Sequence, residues 1–128
     1  KGVVDAHGHL LGSRVLSEVG QVMSSRLSPS DILIKYGGDE FVLLMPGRGR
    51  REAAALVDAV RRAVRAGTYL ASGEAPVRLT ASFGIAVFPD DAGTKRDLLS
   101  RADQAMYRAK RSSTDCVVVY GDVKEEST

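Results

Sequence analysis

The 128-residue chain contains one cysteine, no tryptophan and four prolines. A single cysteine cannot close an internal disulfide. Cys116, followed by Val117-Val118-Val119, therefore reads as a buried thiol in a reducing, cytoplasmic setting. Aromatic residues make up only 5 %, too few to build a base-stacking surface. Charge is nearly balanced as well. A formal net charge of +2 is too weak to argue for a nucleic-acid partner, and the short cluster Arg48, Arg50, Arg51 reads as a solvated loop and helix start. No apolar run approaches the ~18 residues of a membrane span. A (β/α)₈ barrel would need roughly twice this length. No internal repeat, low-complexity tract or signal peptide is visible. What remains is 44 % hydrophobic and 27 % charged, the balance of one globular domain over residues 1–121 with a polar tail at 122–128.

Hydrophobic spacing sets the expected elements. Val15, Leu16, Val19, Val22 and Met23 recur at helical intervals and predict an amphipathic helix ending near Leu27, ahead of the stop signal Ser28-Pro29-Ser30. Two β-prone runs follow, Ile32 to Tyr36 and Phe41 to Met45, joined by Gly37-Gly38-Asp39-Glu40. Such a pair reads as a β-hairpin, with glycine supplying the positive φ of a tight turn. A second helix is carried by Ala53, Leu56, Val57, Val60, Ala63 and Val64, with Gly67 in position to end it. A long β-like stretch runs from Val77 to Phe88, and Gly84 within it marks a bulge or a close backbone approach. Thr94 resembles an N-cap, with Asp97 three residues on. The helix after it should bury Leu98, Leu99, Ala102, Ala105, Met106 and Ala109. Cys116 to Tyr120 reads as the last strand.

The order helix, strand, strand, helix, strand, helix, strand is that of an α/β (α+β) sandwich, with helices packed on a largely antiparallel sheet. A ferredoxin-like core normally opens on a strand. Here only Lys1 to Leu11 precede the first helix, so the opening strand is expected to be missing, leaving the sheet without a central strand. The natural chain is expected to continue upstream. Phe41, Phe83 and Phe88 are expected in the core, which leaves a ferredoxin-like RNA binder without sheet aromatics; Met106 and Tyr107 also read as packing residues.

Two constellations carry possible chemistry. Asp5-Ala6-His7-Gly8-His9 has the alternation of the metal-binding opening of barrel hydrolases. Those sites need further histidines, and His7 and His9 are the only two, so a loop or helix entry is the better reading. Tyr36-Gly37-Gly38-Asp39-Glu40-Phe41 is more informative. A Gly-Gly turn lets a large anion approach the backbone, and two adjacent carboxylates offer hard oxygen ligands to Mg²⁺, a combination suited to nucleotide chemistry. Residue types alone favour the plainer reading, a solvated hairpin turn.

The exact string Gly37-Gly38-Asp39-Glu40-Phe41 resembles the signature of the diguanylate cyclase (GGDEF) family. The resemblance extends along the chain. Residues 1–13 are similar to the family's FKxxNDxxGHxxGD segment, Ser82 to Ala86 to its SxGxA strand, and Leu99 to Lys110 to its LxxADxALYxAK helix. It implies the palm-type nucleotidyl cyclase fold. It further implies that two domains, each holding one GTP with Mg²⁺ or Mn²⁺, meet as a homodimer and condense the nucleotides to cyclic di-GMP with loss of pyrophosphate. Asp39 and Glu40 match the catalytic, metal-binding carboxylates, Gly37 and Gly38 the turn beside the nucleotide, and Lys110 and Lys1 phosphate-contacting lysines. An upstream sensory or regulatory domain is also implied.

The departures from the pattern are specific. The family's first-strand metal-ligand Asp would lie just before Lys1. Val4 replaces the guanine-reading Asn, Ser13 the guanine-reading Asp, and Thr114 a phosphate-contacting Arg. Valine has no polar side-chain atom and serine cannot accept bidentately. Lys35 replaces the usual Arg before Tyr-Gly-Gly, a milder change. At the inhibitory product site, an RxxD motif, Asp31 is present but Ser28 stands for the Arg. These changes keep a second reading open, in which the domain is catalytically inactive and serves as a GTP-sensing, dimerisation or regulatory module of a larger protein.

Overall fold

In a computed structural model, residues 8–71 and 76–123 are described. The element order is α1 (Gly8–Ser24), β1 (Ile32–Lys35), β2 (Phe41–Leu44), α2 (Arg50–Ala66), β3 (Ser82–Ile85), α3 (Lys95–Ser112), β4 (Cys116–Val119) and α4 (Tyr120–Val123). The elements divide between two compact units, one within Lys1–Pro46 and Ala63–Leu79, the other within Gly47–Arg62 and Thr80–Thr128. Each has a two-stranded sheet among the described residues. The opening segment, with Lys1, Val4, Asp5 and His7, the side chain of His9, and most of the 122–128 tail lie outside the described residues.

In the first unit β1 and β2 pair antiparallel, from Ile32↔Leu44 to Lys35↔Phe41. This is the expected hairpin. Helix α1 lies against β1, burying Val15, Val19 and Met23 along one stripe. At Gly20 an added Cβ would sit 3.4 Å from the Phe41 ring, so the absent side chain lets that ring rest on the helix. The opposite strand face is open, with Ile32, Ile34 and Leu44 each more than 40 % exposed. The end of α2 brings Val64 and the loop beyond brings Tyr69, both fully buried. The Tyr69 hydroxyl donates to the Val64 carbonyl at 2.7 Å. Gly67 is explained by this ring rather than by a left-handed helix end: a Cβ there would lie 2.7 Å from the Tyr69 oxygen.

In the second unit β3 and β4 pair parallel, a pairing that needs a crossover, supplied by α3. Helix α3 packs on both strands. Gly84 makes this contact possible, because a Cβ there would run into the Met106 nitrogen and the Ala102 oxygen of the helix backbone. Of the two roles open to Gly84, the close approach is the one found. Ala105 and Ala109 are fully buried on the same helix. Thr94 is the N-cap, its Oγ1 accepting from the Asp97 N–H at 3.1 Å.

Several expectations are corrected. The stretch Val77 to Phe88 is not one strand: Val77 bridges Tyr69 instead, and β3 spans only Ser82–Ile85. Phe88 is 61 % exposed and Tyr107 63 % exposed, so neither is a core residue. Tyr107 carries the Arg111 guanidinium over its ring. Cys116 is half-buried, its thiol pointing to the Ala109 carbonyl at 3.3 Å. The chain after Val119 turns helical as α4.

Arg50 is not a solvated loop residue either. Its guanidinium makes a bidentate pair with Asp91, at 2.9 and 3.0 Å, and the Asp91 side chain is fully buried. The same carboxylate accepts from the Val87 N–H at 2.8 Å, while the Asp91 carbonyl accepts from Arg101. Hydrogen bonding to Asp91 holds the Arg50 pKa above its ordinary value. Removing one partner of a buried pair strands the other. Asp91→Ala is expected to lower unfolding free energy by about 3 kcal/mol, read from urea denaturation with an unchanged slope.

Arg61 joins Asp58 to Asp115. Hydrogen bonds from Arg61, then from Arg62, hold the Asp58 carboxyl below its ordinary 3.8. A lowered folded pKa contributes stability above the unfolded value that is lost as pH falls through the folded one. Asp58→Asn should therefore flatten the loss of stability below about pH 3.8, measured as the urea midpoint against pH.

Candidate functional site

The strand register places the signature. With Lys35 opposite Phe41, residues Tyr36 to Glu40 form the connection. The N–H groups of Tyr36 and Gly37 both donate to the Glu40 carbonyl, at 2.8 and 3.3 Å, closing the base of the turn. Gly37, Gly38 and Asp39 are exposed and Glu40 is half-buried. The two carboxylate residues therefore stand together at the hairpin tip.

Of the two purposes expected of the glycines, the positive φ is not found. Among the described glycines, left-handed φ occurs at Gly47, at 80°, and not at Gly37 or Gly38. A Cβ on Gly38 would meet nothing within 4 Å, and one on Gly37 would reach Glu40 Oε1 at 3.7 Å, an ordinary contact. The turn does not need glycine to fold. Their effect is to leave backbone bare above the tip, where a bulky anion can come close.

Lys35 reaches the same turn from β1, a contact that sequence reasoning misses. Its Nζ donates to the carbonyls of Gly37 at 3.0 Å and Gly38 at 3.2 Å. The available signal is a cation two and three residues before those glycines. An open groove of about 580 Å³ adjoins the turn, lined by Ser17, Gly20, Gln21, Ser24, Ser25, Leu33, Lys35 and Phe41.

The turn offers two carboxylates as hard oxygen donors. No group of three or more His, Cys, Asp or Glu side chains among the described residues could hold a metal. Magnesium, however, is commonly held by one or two carboxylates together with substrate phosphates and water. Asp39 and Glu40 are the carboxylates that could supply such a share.

Other site residues are placed as follows. The Ser28 N–H and hydroxyl both donate to Asp31 Oδ2 at 2.9 Å, so this carboxylate closes its own turn. Ser13 is exposed on α1. Lys110 is exposed near the end of α3, and the Thr114 carbonyl accepts from the Thr80 hydroxyl at 2.9 Å; both belong to the second unit. No helix among the described residues is long and apolar enough to cross a membrane.

Comparison with known proteins decides the family. The family described as diguanylate cyclase, GGDEF domain, matches residues 1–116. The chain belongs to the GGDEF diguanylate cyclase family. It is 39 % identical over 110 residues to the bifunctional diguanylate cyclase/cyclic di-GMP phosphodiesterase MucR of Pseudomonas aeruginosa, covering 86 % of this chain and 16 % of that protein. The crystal structure of the diguanylate cyclase SiaD with its activator SiaC, from Pseudomonas aeruginosa, matches with a TM-score of 0.84 at 35 % identity, over 92 % of this chain and 45 % of that one. The GGDEF domain of DgcB from Caulobacter crescentus, in complex with c-di-GMP, matches with a TM-score of 0.81 at 27 % identity, over 94 % and 71 %. The fold is thus that of the palm-type cyclase domain. Curated relatives are much longer, the chain spanning 17 % of DgcP, 26 % of PleD and 11 % of DgcE.

Because the turn folds without need of its glycines, Gly38→Ala is expected to change stability by no more than ~0.5 kcal/mol. Urea denaturation of the variant checks this, and separates any loss of ligand binding from a loss of fold.

Proposed function

We propose that this GGDEF domain holds GTP at the Gly37–Glu40 turn and, paired with a second copy, condenses two GTP to cyclic di-GMP and two pyrophosphates. The observation that carries this reading is the pair of carboxylates on an open hairpin tip with bare glycine backbone beside it. Asp39 and Glu40 would hold Mg²⁺ or Mn²⁺, which when bound neutralises phosphate charge and orients the reacting oxygens. Gly37 and Gly38 admit the phosphates. Lys110, exposed on α3, and Lys1 would contact the phosphate chain. Two copies are needed because each domain carries one nucleotide, and the 3′-hydroxyl of one must reach the α-phosphorus of the other. The domain would serve in the cytoplasm, where GTP is supplied, within a longer protein whose upstream part senses or regulates. The length of the curated relatives supports such a setting.

A second reading is favoured by the guanine and phosphate positions. Val4 and Ser13 remove two polar base contacts, and Thr114 is engaged with Thr80. Each lost contact to a charged group weakens binding by about 1.5–3 kcal/mol. On this reading the domain keeps the fold and senses GTP, dimerises or regulates a neighbouring domain without catalysis. Asp31, occupied by Ser28, would not by itself rebuild a product-inhibition site.

Incubation of the whole protein with GTP and Mg²⁺, followed by chromatography, tests the two. Cyclic di-GMP whose formation falls at least ~100-fold in Asp39→Ala and Glu40→Ala is the expected outcome. GTP binding by calorimetry without product would establish the sensing module. Absence of both would end the nucleotide reading.

A further inference from the structure

The contact between Lys35 and the signature turn has a geometric consequence. The ammonium of Lys35 donates to two successive carbonyls, Gly37 O at 3.0 Å and Gly38 O at 3.2 Å. Among the described residues the cis peptide is Phe88-Pro89, so the Gly37–Gly38 and Gly38–Asp39 peptides are trans. In a trans peptide the N–H points opposite to the C=O. With both carbonyls drawn to Lys35, the N–H groups of Gly38 and Asp39 point the other way. The turn's backbone bonds use the N–H groups of Tyr36 and Gly37 instead.

We propose that Lys35 is a positioning residue for the signature turn, clamping two carbonyls so that the Gly38 and Asp39 N–H groups face outward as a preset pair of donors to an anion. The inference rests on the nucleotide reading for the identity of the anion, a nucleoside triphosphate, but the clamp itself does not. Lysine suits the task, because a compact ammonium with rotatable donors can sit between two carbonyls. Strand geometry places Lys35 beside the turn. Lys35 lies opposite Phe41 in register, and Phe41 rests on α1 at Gly20. Without the clamp, two glycine peptides in a solvent-exposed turn are free to rotate, and a ligand must order them on binding.

The test compares the chain with Lys35→Met and Lys35→Arg. Met keeps the apolar stem and loses the donors; Arg restores charge and donors. Amide shifts and hydrogen exchange of Gly38 and Asp39 are read by NMR without nucleotide. Binding of GTP with Mg²⁺ is read by calorimetry. Lys35→Met should shift and mobilise those two amides, leave the helix amides unchanged, and weaken GTP binding by about tenfold. Lys35→Arg should restore both. Unchanged Gly38 and Asp39 amides in Lys35→Met, with binding lost, would make Lys35 a direct phosphate contact and overturn the positioning role. Unchanged amides with unchanged binding would overturn it too. If the unaltered chain binds no GTP, the nucleotide reading fails, while the amide response of Lys35→Met still decides the clamp. Lys35→Gln, which keeps a neutral donor, replaces Lys35→Met if that variant does not fold.

Discussion

Pairing between β1 and β2 is the constraint on which the site depends. The register from Ile32↔Leu44 to Lys35↔Phe41 leaves five residues, Tyr36 to Glu40, to cross between strands. A slip of one residue would turn every side chain to the other face. Lys35 would then leave the turn and Phe41 would lose its seat on α1 at Gly20. The register is specified because one hairpin face lies against a helix while the other does not. The geometry of the tip is thus a by-product of apolar packing several residues away.

The hairpin, the three long helices, the Thr94 cap and the close approach at Gly84 are legible in the sequence, for a common reason. Each rests on local periodicity or on a residue whose backbone behaviour is distinctive. Interactions between distant residues are not legible. Arg50 and Asp91 are far apart in the chain, and nothing in Arg48-Gly49-Arg50-Arg51 signals that one arginine meets a buried partner. Phe88 reads as the end of an apolar strand, yet the chain turns at Phe88-Pro89 and leaves the ring in solvent. Gly67 reads as a helix end because glycine commonly ends helices, whereas the Tyr69 ring is what excludes a side chain.

The signature is legible as a string and its geometry as a hairpin; of the two roles read for its glycines, a left-handed turn and an open approach to the backbone, the first is absent. Their identity suggests a special backbone conformation. The structure points instead to space, since neither has left-handed φ and a Cβ added at Gly38 would have nothing within 4 Å. Folding of the turn alone therefore does not account for the two glycines. The two carboxylates and the bare backbone belong to one unit, while Lys110 and Thr114 belong to the other.

Asp91 anchors its surroundings through three different atoms. One carboxylate oxygen meets Arg50 Nη2, the other meets Arg50 Nη1 and the Val87 N–H, and the main-chain carbonyl takes Arg101 from α3. Arg101 in turn stacks over Tyr120 at the start of α4. The segment from Val87 to Asp91 is therefore fixed in length. An inserted or deleted residue would pull the aspartate out of reach of two helices at once, so natural variation in loop size across related chains should be sparse at this corner and concentrated in connections that carry no such tether.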